Sequence, residues 1–304
     1  MRAVTVSTFG GPENVEITEA PVPGPAAGEL RIRTRAAAVH PADAAVRSGA
    51  VAAYLPSLPS HRLGWDLAGT VDAVGEGVRG FRPGDEVIGL SHWFRSHNGV
   101  HAEYAVLPAS AVAPAPAGVD ATVAAALPLN GLTALQALDA TGLTAGQTLL
   151  ITGAAGNLGG LALQLATARG LDVLALAGPG DREFVTAHGG RFVDRDDLAS
   201  LALLAPDGVD AVLDTALLGP ALLPHLLPGT VFVAVRPTGD LPADTRLTVV
   251  DVVPDGARLA ELAELVASSA LTVRVDTAVP FTEAAKAHAR LAGRGVRGAV
   301  VLTF

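Results

Sequence analysis

From Thr148 onward, unbroken aliphatic runs alternate with segments of helical period. "TLLIT", "LDVLALA", "VDAVLDT" and "VFVAV" read as strands, with helical stretches such as "LALQLATARG", "DREFVTAHGG" and "GPALLPHLLPG" between them. Strands without alternating polar positions are buried on both faces, so this region predicts a parallel sheet covered by helices. The first third has a different texture. "MRAVTV", "LRIRTRAAAV", "LAGTVDAVG" and "DEVIGL" are short alternating runs separated by turns such as "PVPGPAAGE" and "GEGVRGFRPGD". They predict an irregular, mostly β domain. Between the two regions "ATVAAALPLNGLTALQALDATG" is helical in period, broken at Pro128 and Asn130-Gly131. Near the end "ARLAELAELVASSA" is an amphipathic helix, followed by strand, helix and strand. "APAPAG" at 113–118 is the candidate boundary.

The stretch "ITGAAGNLGGLALQL" (151–165) joins the first strand of the alternating region to its helix. Leu158, Leu161, Ala162 and Leu165 share one helical face, and Gly170 marks the stop. Glycines at Gly153 and Gly156 allow a tight turn and let a pyrophosphate approach the backbone. Gly159 allows the helix to lie close on the sheet, and the helix N-terminus favours an anion. The pattern predicts a Rossmann-type doubly wound sheet holding a dinucleotide on Gly153, Ala155, Gly156, Asn157 and Leu158. The alternative is a strand-to-helix turn that holds no ligand.

A cofactor with a free ribose 2′-hydroxyl usually meets an acid about 20 residues further on. Here the second strand ends in Ala177-Gly178-Pro179-Gly180, with no carboxylate. Arg182 follows, and Arg195 lies after "RFVD". Near Gly178, two guanidinium groups suit a 2′-phosphate, which points to NADPH over NADH. Both arginines as ordinary surface residues is the alternative.

Composition narrows the class. The chain of 304 residues is 50% hydrophobic and 17% charged, enough to build two cores. A net charge of -9 argues against a general affinity for nucleic acid. No apolar run approaches the ~18 residues of a membrane span. The N-terminal "MRAVTVSTFGGPENVEI" lacks the basic-then-apolar order of a secretory signal, so a cytoplasmic setting is expected. With no cysteine there is no disulfide, thiolate nucleophile or cysteine-ligated zinc. The sole lysine, Lys286, sits in an Ala-rich helix, a poor place for Schiff-base chemistry.

Several segments then carry a family resemblance. "AVHPADAAVRSG" (38–49), "LGWDLAGTVDAVGEGVRGFRPGDEVIG" (63–89), "GVHAEYAVLPASAVAPAPAGVDATVAAALPLNGLTALQAL" (99–138), the glycine turn, and "VPFTEAAKAHARLAGRGVRGAVVLTF" (279–304) run in order along the chain. Together they resemble the zinc-independent quinone oxidoreductase (zeta-crystallin-like) branch of the medium-chain dehydrogenase/reductase superfamily. The resemblance implies a GroES-like β-rich catalytic domain over 1–118, completed by 270–304, and a Rossmann domain over 119–269. Nicotinamide and substrate are then expected in the cleft between them, in a homo-oligomer, commonly a homodimer.

The chemistry it implies is hydride transfer from NADPH to a quinone or an α,β-unsaturated carbonyl. An enoyl reductase acting on a polyketide-type intermediate and a non-enzymatic NADPH-binding protein are the alternatives. Zinc-using relatives carry Cys where this chain has His40, and His-Glu where it has Trp65-Asp66. His40 and Asp66 offer two metal donors but no third is found, so no metal is expected. His40 takes the family's Asn position beside the nicotinamide, where an imidazole could donate to the developing oxyanion. A structural histidine before proline is the other reading. Tyr54 is a second candidate donor, or a ring packed under its loop. Asp43 is expected to brace the turn after Pro41. The aromatic stretch "LSHWFRSHNG" (90–99) suits a flat acceptor, loop packing or a dimer contact. By resemblance Thr133 touches the nicotinamide end, while Thr215 and Val235, in the "VAVRPTG" turn, line the nucleotide groove.

Overall fold

The computed structural model describes residues 1–304 apart from Thr238, Asp240, Ala243 and Asp244. The chain forms two compact units, Met1–Leu132 with Val253–Phe304, and Thr133–Val252. These divisions lie inside the boundaries expected at 118/119 and 269/270. Apolar burial is the reason. Ala124, Ala125, Ala126 and Leu127 are buried beyond the "APAPAG" segment, and the helix Ala121–Ala125 packs on the strands of the first unit. The helix Gly256–Ala267 packs on the strand Val112–Pro114 of the same unit.

The first unit is built around the long strand Glu29–Val39. It pairs antiparallel with Asp66–Val74, with Tyr104–Pro108 and with the C-terminal strand Ala299–Thr303. The chain's last strand therefore lies in the sheet of its first third. Leu30, Ile32, Leu67, Val71, Val87 and Leu107 alternate inward to form the core, as period-two patterning requires. The pairing of Ala36 with Ala68 puts the exit of one strand beside the entry of the other. His40 follows the first strand and Asp66 opens the second, so antiparallel register brings the two side chains together.

The second unit is a six-stranded sheet among the described residues. Its order is Arg191–Asp194, Asp172–Ala177, Thr148–Thr152, Ala211–Asp214, Val231–Ala234, Arg246–Val249, with every pairing parallel. In chain order this is 3-2-1-4-5-6, the doubly wound Rossmann arrangement. Its direction reverses between Thr148–Thr152 and Ala211–Asp214, where ligands bind in such sheets. Leu150, Leu174, Leu176, Val212 and Phe232 form the buried core. The helix Asn157–Ala168 is buried from Gly159 through Ala166, on more than the single face its periodicity suggested. Among the described residues no helix is long and apolar enough to cross a membrane.

Candidate functional site

In the second unit the glycine turn sits at the point where strand order reverses. Gly153 leaves the strand Thr148–Thr152 with φ 61°, a left-handed conformation that favours glycine. Space is also short there, since a Cβ would stand 3.0 Å from the Thr215 hydroxyl and 3.3 Å from the Ala216 methyl. At Gly159 a Cβ would run into the Gly153 carbonyl oxygen. Gly156 differs from both. It caps the helix Asn157–Ala168 in an ordinary extended conformation, with no side-chain cap. The one atom near its missing Cβ is the Gly153 oxygen, 3.2 Å away. Two glycines thus serve the turn itself, and the third leaves the helix head open. That cradle fits a dinucleotide pyrophosphate. Ala155 is buried, and Asn157 and Leu158 are half-buried on the first helical turn.

A buried carboxylate braces this turn. Asp214 is fully buried and accepts hydrogen bonds from the Thr152 hydroxyl at 2.6 Å, Leu218 N at 3.0 Å and Gly219 N at 2.8 Å. The Thr152 oxygen accepts from Ala216 N at 2.9 Å, and the Thr215 hydroxyl donates to the Thr152 carbonyl at 2.6 Å. Thr215 is therefore tied to the strand end beside Gly153. Asp214 was not singled out in the sequence, although a carboxylate closing the apolar run "AVLD" is a signal that could have found it. Val235 follows the strand Val231–Ala234 and is half-buried. Thr238 of the same turn lies outside the described residues. Thr133 is buried in the helix Pro128–Thr141.

The end of the second strand corrects one expectation. It is not free of carboxylate, because the 3-10 turn Pro179–Asp181 folds back, with Asp181 N donating to Gly178 O at 2.9 Å. The Asp181 carboxylate then comes within 3.6 Å of where a Gly178 Cβ would be, and the Arg195 guanidinium carbon within 3.5 Å. Arg195 is anchored by its backbone N donating to Ala177 O at 3.0 Å. The two arginines are not equivalent: the Arg182 guanidinium stacks over the Phe192 ring, 4.0 Å from its centroid.

In the first unit His40 is 3% exposed and caps the helix Pro41–Ser48. Its Nε2 is 2.8 Å from Asp66 Oδ1, and Leu129 N donates to Asp66 Oδ2 at 3.0 Å. Asn130 Nδ2 lies 3.4 Å from His40 Nδ1. Asp43 braces the turn, accepting from His40 N at 2.8 Å and from Gly64 N at 2.8 Å. Burial opposes charge on the imidazole, but the Asp66 carboxylate against it, with Asp43 beyond, outweighs this and holds the ring above the usual histidine range. Asn130 is a partner that the sequence reading treated only as a helix breaker.

Tyr54 is not brought into this network. It ends the 3-10 turn Ala52–Tyr54 and is 80% exposed, rather than packed under the loop. The aromatic stretch forms a ring cluster. Trp93 is buried with its indole N–H donating to Arg62 O at 2.7 Å. Phe94 meets Trp65 edge-on at 5.2 Å and Trp93 at 5.5 Å. Trp65 is buried and its indole nitrogen has no hydrogen-bond partner among the described residues. Among the described residues no three His, Cys, Asp or Glu side chains come together as a metal-holding group. The two nearest candidates, His40 and Asp66, bond to each other.

Comparison with known proteins agrees with this architecture. Residues 26–117 match the alcohol dehydrogenase GroES-like domain, and residues 182–302 match the family described as zinc-binding dehydrogenase. A chloroplastic quinone oxidoreductase of Triphysaria versicolor is 30% identical over 324 aligned positions, covering 99% of this chain and 98% of the relative. The solved quinone oxidoreductase of Coxiella burnetii superposes with a TM-score of 0.87 at 28% identity, covering 100% and 99% of the two chains. A mycobacterial protein solved in complex with NADPH superposes with a TM-score of 0.82 at 27% identity over 100% of both chains. The chain belongs to the quinone oxidoreductase family of the medium-chain dehydrogenase/reductase superfamily, oxidoreductases that use a nicotinamide dinucleotide.

Proposed function

We propose that this protein uses NADPH to reduce a quinone or an α,β-unsaturated carbonyl without a metal. The observation that carries the reading is the glycine turn: Gly153 and Gly159 are required by close packing, whereas Gly156 leaves the helix head open at the sheet's switch point. Gly153, Ala155, Gly156, Asn157 and Leu158 would hold the pyrophosphate, with Thr133, Thr215 and Val235 along the nicotinamide half. Arg195, backed by Ala177 and beside Gly178, would take the ribose 2′-phosphate, and Arg182 would border it from its seat on Phe192. Bound there, the nicotinamide supplies the hydride. The protein's part is to orient the acceptor and stabilise the charge that develops on its oxygen.

His40 is the residue assigned that charge, because it is a buried, cation-capable group held by Asp66 at the position where the resemblance places the nicotinamide's neighbour. Tyr54, exposed on its turn, is assigned a place at the acceptor's rim. The rings of Trp65 and Phe94, with the unpartnered indole N–H, favour a flat carbonyl acceptor.

Calorimetric titration with NADPH and NADH, followed by NADPH oxidation across a panel of quinones and enones, tests this. Saturable NADPH binding tighter than NADH, with turnover of at least one flat acceptor, is expected. Absence of binding by either dinucleotide would overturn it.

A further inference from the structure

We propose that His40 gains and loses its proton on Nδ1, with Asp66 as the residue that positions the ring and Asn130 as the side chain that reverses its amide as that proton comes and goes. The role in turnover rests on the function proposed above, while the arrangement itself rests on the first unit alone.

The hydrogen-bond chemistry leaves one tautomer. A carboxylate accepts and does not donate, so the 2.8 Å contact to Asp66 Oδ1 keeps a proton on Nε2 in both charge states of the ring. Asp66 cannot turn away, because its other oxygen takes Leu129 N. Nor can His40 leave its place as the helix cap. Its backbone N donates to Asp43, whose second oxygen takes Gly64 N. Nδ1 is therefore the nitrogen free to gain or lose a proton.

Facing it, 3.4 Å away, is Asn130. A terminal amide carries both a donor and an acceptor on one fork. With the ring neutral, the Asn130 NH2 donates to Nδ1. With the ring charged, Nδ1–H needs an acceptor, and half a turn of the amide presents the Asn130 carbonyl oxygen. Leu129 and Asn130 are adjacent on the helix Pro128–Thr141, so one helix head holds the carboxylate and reads the ring. The charged groups bearing on His40 are Asp66 from the facing strand and Asp43 from its own helix. Asp43 also acts on His288, where His101 and Arg47 oppose it.

The charged ring, its Nδ1–H held by the Asn130 oxygen, is the form that carries the charge-stabilising role assigned to His40 above.

The test is the 15N spectrum of the histidine rings in the full chain across pH, without cofactor, together with the pH profile of kcat/KM. In the neutral wild-type ring, Nε2 should be protonated and Nδ1 bare. Asp66→Asn should lower the His40 midpoint by ~1–3 units, and Asn130→Asp should raise it by about as much. The alkaline limb of kcat/KM should move in the same two directions. A purely structural role would not shift the two variants oppositely. A neutral ring protonated on Nδ1, or an Asn130→Asp midpoint equal to wild type, would overturn the proposal. The wild-type tautomer decides even if a variant does not fold. Failure to bind or oxidise NADPH would sink the functional reading, while the ring titration would still judge the network.

Discussion

Asp181 and Arg195, opposite in charge, converge on one point beside Gly178, at 3.6 Å and 3.5 Å from where its Cβ would be. A carboxylate there favours a ribose 2′-hydroxyl, and a guanidinium favours a 2′-phosphate. Arg195→Ala should weaken NADPH binding by ~10–100-fold, the loss of one charge-assisted hydrogen bond of roughly 1.5–3 kcal/mol, and leave NADH nearly unchanged. Asp181→Asn should move preference further toward NADPH. Calorimetry with both dinucleotides checks this, and equal losses in Arg195→Ala would refute the phosphate assignment.

The glycines of the turn should separate into two classes. Gly156→Asp puts a negative side chain on the open helix head while its backbone stays in an ordinary region, so NADPH binding should vanish with a melting shift of only a degree or two. Gly153→Ala must hold a left-handed φ, costing ~1–2 kcal/mol. Gly159→Ala meets the Gly153 carbonyl, costing ~1–3 kcal/mol through overpacking. Both should melt earlier. Thermal denaturation paired with NADPH titration distinguishes the classes. Intact binding in Gly156→Asp would mean that the turn holds no phosphate.

Asp214 satisfies three donors in the turn after its strand. Asp214→Ala leaves them buried without an acceptor, at ~1–3 kcal/mol for each that finds no other partner. A marked fall in the denaturation midpoint is expected, with Asp214→Asn milder because the amide oxygen still accepts. Similar midpoints for Asp214→Ala and wild type would show that the network is not a brace.

Acid sensitivity should trace to His288. It is fully buried on the helix Ala284–Ala292, and neither ring nitrogen has a hydrogen-bond partner among the described residues. Burial lowers its pKa to about 4, against an upward pull from Asp43 and with His101 and Arg47 pushing down. The unfolded chain takes up this proton near the ordinary histidine value of 6.5, the folded chain only near 4. Between those values the unfolded state binds more protons, so stability is full above about pH 6.5 and falls by roughly 3 kcal/mol on the way to pH 4. His40, raised by Asp66 and Asp43, has the opposite sign: its contribution is full below 6.5 and fades as pH rises through its folded pKa. Urea midpoints of wild type and His288→Leu at pH 7 and pH 4.5 should show a smaller acid loss in the variant. Parallel losses would place the acid sensitivity elsewhere.

Some features of this protein are readable from neighbours along the chain. The parallel sheet announces itself because strands buried on both faces must be aliphatic throughout, and helices between them must repeat every three to four residues. The glycine turn is legible for the same local reason: Gly153, Gly156 and Gly159 lie within one turn, where lack of a Cβ has an immediate steric meaning.

Other features required contacts between distant segments. His40 and Asp66 are 26 residues apart, and His40 and Asn130 are 90 apart. Asn130 looked like a helix breaker, and it becomes His40's partner only when the helix head lands against the strand ends. Residues 177–180 hold no carboxylate, and it takes a 3-10 turn to carry the Asp181 carboxylate back to Gly178. The unit boundaries moved inward because burial, which no local composition reports, draws residues 124–127 and the helix Gly256–Ala267 onto the first sheet. Periodicity and sterics act between neighbours and are written in order along the chain. Charge pairing and burial act through space, and they exist only once antiparallel register and close packing have chosen which distant residues meet.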